Sequence, residues 1–185
     1  TDVRWAVKNI KYGTSKRTHG LVNTSAVFGY NPRQENKRDF CSASAMGTTH
    51  PKQHYIISRY AKEVAKFYHE FFPRVYNDHK NKVKEKVKKQ WVINGSVFTS
   101  GIVNKNNQLK YHYDSGNFKS VFSNMIVFKG DVDGGHLVIP ELDISLEVAD
   151  NSLTIFDGQD LLHGVSPIEY IHEQSYRYSI VYYSL

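Results

Sequence analysis

The sequence predicts an α+β fold with a mostly β core, a double-sheet jelly roll backed by helices. Eight short strand patterns follow one another in the second half of the chain, which is typical of that architecture. Two helical patterns come before them. The chain has 185 residues and 40% hydrophobic content, which is enough for one core. We therefore expect a single domain over residues 1–185.

The N-terminal part, residues 1–96, is predicted to be a helical and basic support region. Residues 1–50 show mixed periodicity and are predicted to form loops and short elements. From Pro51 onwards, apolar residues recur every three or four positions, as a helix packed on a core requires, and Pro73 ends this helix. A second, lysine-rich helix is predicted from about residue 77 to residue 90. The apolar positions of the first helix are Ile57, Tyr60, Val64, Phe67 and Phe71.

After Trp91 the pattern changes to strands, and residues 97–185 are predicted to form the jelly-roll core. Asn94 and Gly95 read as a hairpin turn, and pairs such as Asp157-Gly158 separate the later strands. The predicted strands are 97–103, 109–114, 121–129, 136–139, 142–148, 152–156, 161–166 and 176–184.

Charge is distributed unevenly along the chain. The net charge is +12 over residues 1–90 and −6 over residues 91–185, which together make the overall +6. In the predicted second helix, Lys80, Lys84 and Lys88 share one stripe. This stripe is either a solvated helix face or a surface for a polyanion. A surface of the second kind would bind nucleic acid phosphates without reading base sequence.

Other features narrow the setting of the protein. The chain has no apolar run long enough to cross a bilayer and opens with no signal peptide pattern, so we expect no membrane partner. A single cysteine, Cys41, cannot form an internal disulfide, which favours a reducing compartment and a cytoplasmic location. We interpret Cys41 as a small buried apolar residue, because no dedicated base lies near it in sequence.

Three residues have the chemistry of a metal site. His112 and Asp114 lie in a segment where residue types alternate, and side chains two apart on a strand point to the same face. His163 would come from a distant strand. Two imidazoles and one carboxylate that leave positions open are the ligand set of non-heme Fe(II) oxygenases, although zinc uses the same donors. Taken alone, a His-x-Asp pair also fits a solvated strand end.

Arg177 and Ser179 favour iron over zinc. Alternation in the last strand places Arg177, Ser179 and Val181 on one face, and an inward guanidinium requires an anion. A bidentate fork with a hydroxyl beside it suits the far carboxylate of 2-oxoglutarate. The alternative for Arg177 is a structural salt bridge with a carboxylate such as that of Glu173.

The ordered motifs resemble a known family. The order His-x-Asp, distal His and Arg-x-Ser is similar to the double-stranded beta-helix, a cupin-like jelly roll, of Fe(II)/2-oxoglutarate dioxygenases. More narrowly, the second half of the chain resembles the TET/JBP group of DNA 5-methylpyrimidine oxygenases, especially its compact bacteriophage members. The segments that carry this resemblance are His112-Tyr-Asp-Ser-Gly-Asn117, Gly134-Gly-His-Leu-Val-Ile-Pro-Glu141, Leu153-Thr-Ile-Phe-Asp-Gly158, His163-Gly-Val-Ser-Pro167 and Arg177-Tyr-Ser-Ile-Val-Tyr-Tyr183.

The resemblance implies roles for these residues. His112, Asp114 and His163 would bind Fe(II), and Arg177 with Ser179 would hold 2-oxoglutarate. Asn117 would face the target base, although Ser-Gly-Asn is also good turn chemistry. The partner would be DNA with a flipped or single-stranded methylated pyrimidine, and we expect a monomer in the cytoplasm of a phage-infected host.

The resemblance implies hydroxylation of 5-methylcytosine to 5-hydroxymethylcytosine and leaves other functions open. Thymine carries the same methyl group and would give 5-hydroxymethyluracil. A peptidyl hydroxylase of the same fold would use the same iron residues, and its basic half could bind an acidic protein. A nucleic acid binding module without activity is the non-enzyme alternative. It is disfavoured because the iron ligands and the inward arginine are all present.

Overall fold

The computed structural model describes residues 24–32, 41–93 and 95–185, and these residues form strands, α-helices and two short 3-10 helices. The α-helices are α1 (Ala45–Thr49), α2 (Pro51–Phe71) and α3 (Pro73–Lys86), and the 3-10 helices are Lys89–Trp91 and Pro140–Leu142. The strands are β1 (Thr24–Pro32), β2 (Cys41–Ala43), β3 (Ser100–Lys105), β4 (Ser123–Gly130), β5 (Val132–Gly134), β6 (Leu137–Ile139), β7 (Ile144–Leu146), β8 (Ser152–Phe156), β9 (Gly164–Val165), β10 (Ile168–Tyr170) and β11 (Tyr176–Tyr183).

The strands form the two layers of the predicted jelly roll. An antiparallel major sheet has the strand order β2-β1-β3-β11-β4-β8, and a minor sheet has the order β7-β6-β9. Strands β5 and β10 pair with each other. Met125 and Val127 of the major sheet pack with Leu137 and Ile139 of the minor sheet. The space between the sheets is therefore an apolar core, as the jelly-roll prediction requires.

The helices cover the opposite face of the major sheet. Phe28 and Tyr182 from this face are fully buried with Tyr68 of α2 and with Phe98. The ring of Phe28 meets that of Tyr182 edge-on at 5.2 Å, and the Tyr182 hydroxyl donates to the carbonyl of Ile57. Helix α2 thereby holds the sheet from behind and leaves its other face to the inter-sheet cavity.

The first predicted helix is confirmed, but its buried face differs from the prediction. Helix α2 begins at Pro51 and ends at Phe71, just before Pro73. Its fully buried residues are Ala61, Val64, Ala65 and Tyr68. Small alanines let the helix backbone approach the aromatic core closely, so the helix turns that side to the sheet. Three predicted core residues are exposed instead, namely Tyr60, Phe67 and Phe71.

The second predicted helix is shifted towards the N-terminus. Helix α3 begins at Pro73, where a proline is well tolerated in the first turn, and ends at Lys86. Lys88 lies beyond the helix, with its ammonium 5.1 Å from the centre of the Trp91 ring. The predicted stripe is therefore reduced to Lys80 and Lys84, both exposed, while Val83 is buried.

Several strand predictions need correction. Residues 109–114 form no regular strand, and His112 makes only an isolated antiparallel bridge with His163. The pairing does not continue beyond this bridge, because the amide of Asp114 donates to the carbonyl of Gly158 and not to the segment that contains His163. Predicted strand 161–166 is similarly shortened to β9. The prediction missed β1, β2, β5 and β10, and the first two show that the N-terminal region also contributes to the major sheet.

Some expectations fall outside the described part of the chain. Asn94 is not described, although Gly95 with a φ of 74° sits in a turn closed by a hydrogen bond from the Ile93 amide to the Phe98 carbonyl. Residues 1–23 and the side chain of Cys41 also lie outside the description. Among the helices that are described, none is sufficiently long and apolar to cross a membrane.

His79 couples helix α3 to the end of β11 and should make stability depend on pH. Its Nε2 lies 2.7 Å from the hydroxyl of Ser184, and burial lowers the pKa of His79 to about 3. The folded protein keeps this imidazole neutral, whereas the unfolded chain protonates it near pH 6.5. Its contribution to stability is thus complete above pH 6.5 and is lost as the pH falls from 6.5 towards 3.

We expect the free energy of unfolding to lose up to about 1.4 kcal/mol per pH unit through His79 across that interval. Urea unfolding of the protein and of His79→Gln between pH 7 and pH 4 measures this loss. The glutamine variant should show the shallower dependence, because its side chain does not titrate. Equal slopes for the two proteins would contradict the assignment.

Candidate metal and carboxylate site

Three side chains converge at one end of the inter-sheet cavity. The isolated bridge places His112 beside His163, with reciprocal backbone hydrogen bonds of 2.9 and 3.1 Å. Asp114 Oδ1 lies 3.6 Å from Nε2 of His112 and 3.7 Å from Nε2 of His163. One ligand atom from each of the three residues lies within 4.8 Å of the others. The structure therefore brings together the three residues that the sequence predicted as ligands.

Backbone carbonyls orient both imidazoles. His112 Nδ1 donates to the carbonyl of Lys110 at 2.7 Å, and His163 Nδ1 donates to the carbonyl of Leu161 at 2.9 Å. A carbonyl oxygen can only accept, so each Nδ1 carries a proton. In the neutral ring this leaves Nε2 with a free lone pair, directed at the shared carboxylate oxygen. Such a hydrogen bond on the other ring nitrogen is typical of metal-binding histidines.

The three side chains of the cluster have shifted pKa values. Burial raises the pKa of Asp114, but the contacts with His112 and His163 and the hydrogen bond from Ser123 outweigh burial and hold this pKa below its ordinary value. Burial lowers the pKa of His163. Burial also lowers the pKa of His112, but the contacts with Asp114 and with the Lys110 carbonyl outweigh burial and raise this pKa above its usual value. Metals bind an ionised carboxylate and neutral imidazoles, so the pKa shifts of Asp114 and His163 favour metal binding, whereas at His112 the metal ion would have to displace a proton.

The second oxygen of Asp114 has its own partners. Ser123 donates to Oδ2 at 2.9 Å, and the Asn117 side-chain amide donates to the Ser123 hydroxyl at 2.9 Å. Gly158 lies so close that a Cβ at this position would collide with Asp114 Oδ2. Asn117 itself is only 8% exposed and lines the cavity. The family resemblance implies that Asn117 faces the target base, and in the structure its side-chain amide donates to Ser123.

The cavity that contains these side chains has a volume of about 410 Å³. Its lining includes the polar residues Ser179 and Asn104 and the apolar residues Met125, Leu137 and Phe156. The ring of Phe156 meets the imidazole of His163 edge-on at 4.9 Å. The site is thus a mostly apolar cavity with a few polar groups, which is typical of a small-molecule site.

Arg177 is buried without a counter-charge. It is 1% exposed, and its Nε and Nη2 have no hydrogen-bond partner among the residues that the structure describes. Within the described ranges no ion pair involves Arg177, so the alternative pairing with Glu173 is not formed. Burial lowers the pKa of Arg177 to about 10, so the guanidinium is still charged at neutral pH. A buried charge with free donors has to be paired with an anion, and no residue in the described ranges supplies one.

The surroundings of Arg177 explain its position. A Cβ on Gly135 would lie 2.8 Å from Arg177 Nε, so only glycine leaves room for the side chain. Alternation along β11 puts Arg177 and Ser179 on the inter-sheet face, as predicted, with Ser179 3% exposed. Asn104 Nδ2 donates to the Ser179 hydroxyl at 3.4 Å. The guanidinium and the hydroxyl therefore belong to the same inner face as the metal ligands.

Some site residues escaped the sequence prediction. Ser123, Gly135, Gly158 and Asn104 contact the predicted residues, but serine, glycine and asparagine are common and none of them belongs to a spaced motif. The available signal was indirect, because Gly135 and Gly158 lie within the segments that carry the family resemblance. Only the folded arrangement reveals which of the many serines and glycines touch Asp114 and Arg177.

The fold and this site together define a class of protein. A jelly roll that holds two imidazoles and one carboxylate is the arrangement of a non-heme iron oxygenase. The unpaired buried arginine beside a serine fits the distal carboxylate of 2-oxoglutarate. The class is therefore that of the Fe(II)/2-oxoglutarate-dependent dioxygenases.

Comparison with known proteins gives the family. Residues 28–185 match the Tet_JBP family model, the oxygenase domain of the 2OGFeDO superfamily, so the chain belongs to the TET/JBP oxygenase family. Its cofactors are those of that superfamily, Fe(II) and 2-oxoglutarate, and the His-Asp-His cluster is a fitting metal site.

Individual relatives cover the chain to different extents. The bifunctional helicase and thymine dioxygenase JBP2 of Leishmania braziliensis is 24% identical over 181 residues, or 95% of this chain. The protein of the same name from Leishmania tarentolae is 31% identical over 124 residues, or 66% of this chain. The matches span only 15% and 11% of the length of these relatives.

A solved structure has a similar fold. NgTET1, solved in complex with 5mC DNA, superposes with a TM-score of 0.67 at 15% sequence identity. The superposition covers 86% of this chain and 60% of NgTET1. This similarity supports the jelly-roll core with helices.

Proposed function

We propose that this dioxygenase hydroxylates the 5-methyl group of a pyrimidine in DNA, with 5-methylcytosine as the preferred base. The product would be 5-hydroxymethylcytosine. The observation that carries the proposal is the convergence of His112, Asp114 and His163 in one cavity, on the same inner sheet face as the unpaired Arg177. Family membership supports the use of this site for oxidation.

The residues would divide the work as follows. His112, Asp114 and His163 would hold Fe(II), and Arg177 with Ser179 would bind the distal carboxylate of 2-oxoglutarate. With dioxygen, these cofactors supply an oxidation that replaces a methyl C–H bond by C–OH while 2-oxoglutarate becomes succinate and carbon dioxide. The apolar lining residues Met125, Leu137 and Phe156 would exclude water from the methyl group.

DNA as the substrate is supported from two directions. JBP2 is named a thymine dioxygenase, and NgTET1 was solved with 5mC DNA. The chain itself carries a basic N-terminal half. A methyl group inside a duplex cannot reach the cavity, so the base has to be flipped out or single-stranded. Tyr113 and Tyr183 both line the cavity and are candidates to stack on the flipped base.

The orientation of the Asn117 amide supports cytosine over thymine. The single Ser123 hydroxyl proton goes to the Asp114 carboxylate, so Ser123 must accept its second hydrogen bond from the Asn117 NH2 group. Asn117 Oδ1 accepts no hydrogen bond from any residue that the structure describes. An acceptor in the cavity suits the amino group at position 4 of 5-methylcytosine, whereas thymine has a carbonyl there.

Thymine is the second candidate base. It is favoured by the thymine dioxygenase activity for which the JBP2 relatives are named, and these relatives match up to 95% of this chain. The product would then be 5-hydroxymethyluracil. The two proposals differ only in the group at position 4 of the ring, so one experiment can distinguish them.

That experiment is mass spectrometry of nucleosides from a DNA that contains both thymine and 5-methylcytosine. The DNA is incubated with the protein, Fe(II), ascorbate and 2-oxoglutarate, and succinate is measured in parallel, with His112→Ala as the inactive control. We expect one added oxygen on 5-methylcytosine. Oxygen added only to thymine would make thymine the substrate in place of 5-methylcytosine. Succinate without a modified nucleoside would point to another substrate such as a peptide.

Helix α3 has two faces that carry lysines, and measurements of DNA binding can distinguish their roles. Lys82 donates to the carbonyl of Lys119, and Lys86 lies 5.6 Å from the ring centre of Phe118, in the loop that follows Asn117. Lys80 and Lys84 instead line a groove away from this loop. The face with Lys82 and Lys86 is therefore adjacent to the rim of the active-site cavity.

We expect the double variant Lys82→Gln/Lys86→Gln to bind DNA more weakly than the matched variant Lys80→Gln/Lys84→Gln. Loss of two phosphate contacts should reduce the slope of log K against log salt by about 1.8. Fluorescence anisotropy titrations at several salt concentrations measure both quantities. A flatter slope for the Lys80/Lys84 variant alone would place the DNA on the other face of α3.

A further inference from the structure

The two carboxylate oxygens of Asp114 lie in different surroundings. Oδ1 faces Nε2 of His112 and Nε2 of His163 at 3.6 and 3.7 Å. Oδ2 is turned away towards Ser123, which donates to it at 2.9 Å, and the backbone of Gly158 packs against it. One oxygen therefore faces the metal position while the other is enclosed by the protein.

Ser123 itself is held firmly in place. It is fully buried at the start of β4, where it pairs with Phe156 of β8. Its hydroxyl accepts from Asn117 Nδ2 and donates to Asp114, so both hydrogen-bonding directions are used. The loop with Asn117 is fixed in turn, because Gln159 Nε2 donates to the Asn117 carbonyl at 2.7 Å.

We propose that Ser123 is a positioning residue that keeps Oδ2 away from the metal, so that Asp114 binds Fe(II) through Oδ1 alone. This inference rests on the proposed function of the same site. A six-coordinate ion held by three protein atoms keeps three positions for cosubstrate and dioxygen. A carboxylate that rotated to bind through both oxygens would occupy one of them. Without its hydroxyl partner, Oδ2 of Asp114 is free to make that rotation.

The test uses Mn(II) as a probe and does not depend on turnover. Water proton relaxation counts the exchangeable waters on bound Mn(II), and we expect roughly three in the unmodified protein. Ser123→Ala should lose about one of these waters and bind 2-oxoglutarate about 10- to 100-fold more weakly in the presence of Mn(II). Ser123→Thr, which retains the hydroxyl, should restore both values.

Ser100→Ala is the matched control. Ser100 is also a fully buried serine of the major sheet, and its hydroxyl donates to the carbonyl of Tyr30, outside the cavity. We expect this variant to keep the water count and the 2-oxoglutarate affinity of the unmodified protein. Circular dichroism verifies folding, and if Ser123→Ala does not fold, Ser123→Cys, which has a weak thiol donor, carries the same expected loss of water.

The outcomes separate this inference from the proposed function. An unchanged water count and unchanged 2-oxoglutarate affinity in the folded Ser123 variant would overturn the role of Ser123 while leaving the metal site intact. If the unmodified protein binds no Mn(II), the metal site itself fails and the inference fails with it. Loss of water in Ser123→Ala, recovery in Ser123→Thr and no change in Ser100→Ala would support it.

Discussion

Replacing Asp114 by alanine is expected to reduce succinate formation and base oxidation below detection. The substitution removes the only carboxylate of the metal cluster, whose Oδ1 lies within 3.7 Å of both imidazole Nε2 atoms. Two neutral imidazoles retain too little charge and too few donors to hold Fe(II) firmly. Isothermal titration with Fe(II) under anaerobic conditions should show a corresponding loss of metal affinity.

The control for this change is Asp133→Ala. Asp133 is an exposed aspartate of β5, outside the metal cluster, and its removal changes the net charge by the same amount. We expect this variant to keep both activity and Fe(II) affinity. If Asp114→Ala were as active as Asp133→Ala, Asp114 would not belong to the metal site. His112→Ala should lose activity and Fe(II) affinity as Asp114→Ala does.

Changing Arg177 to methionine is expected to eliminate 2-oxoglutarate binding without destabilising the protein. Arg177 is 1% exposed and two of its donors have no partner within the described ranges, so the apoprotein should bear the cost of an uncompensated buried charge. An apolar side chain of similar length should leave the free energy of unfolding unchanged or raise it by about 1–4 kcal/mol. Thermal unfolding with and without 2-oxoglutarate measures both effects, because only the unmodified protein should be stabilised by the ligand.

Arg177→Lys separates charge from geometry at the same position. Lysine retains the positive charge but replaces a planar fork with a single ammonium, so the concentration of 2-oxoglutarate required for half-maximal activity should rise about 10- to 100-fold. Unchanged cosubstrate affinity in this variant would refute the clamp. A large loss of stability in Arg177→Met would instead indicate that the guanidinium supports the fold.

Local chemistry decided which features the sequence could predict. The ligand set, the inward arginine and the helix that begins at Pro51 rest on residue types and spacings that few other structures produce. Tyr60, Phe67 and Phe71 were predicted to be buried but are exposed. The helix carries two apolar stripes, one with these aromatic residues and one with the alanines, and both recur every three or four residues, so periodicity alone cannot tell which of them packs on the core. Which stripe packs depends on the small alanines that face the sheet, and that is a tertiary property.

The ligand segment 109–114 failed as a strand for a related reason. Alternation correctly indicated that His112 and Asp114 face the same side, but the backbone hydrogen bonds of this segment go to two separate parts of the chain, residues 163–165 and Gly158. Periodicity cannot distinguish one long ladder from two short attachments. Short strands such as β5 and β10 were missed because three residues are too few to show a period.

The position of β1 determines how far the chain could be truncated from its N-terminal side without loss of the oxygenase core. Strand β1 pairs along the whole of β3, and Ser25 donates to Asn104 Oδ1 at 2.6 Å, while Asn104 donates to Ser179 in the cavity. A fragment that starts at residue 97 would contain all the motifs, yet it would expose the edge of β3 and lose Ser25 from the lining of the cavity. The smallest autonomous oxygenase therefore has to retain the Thr24–Pro32 strand, although no ligand comes from it.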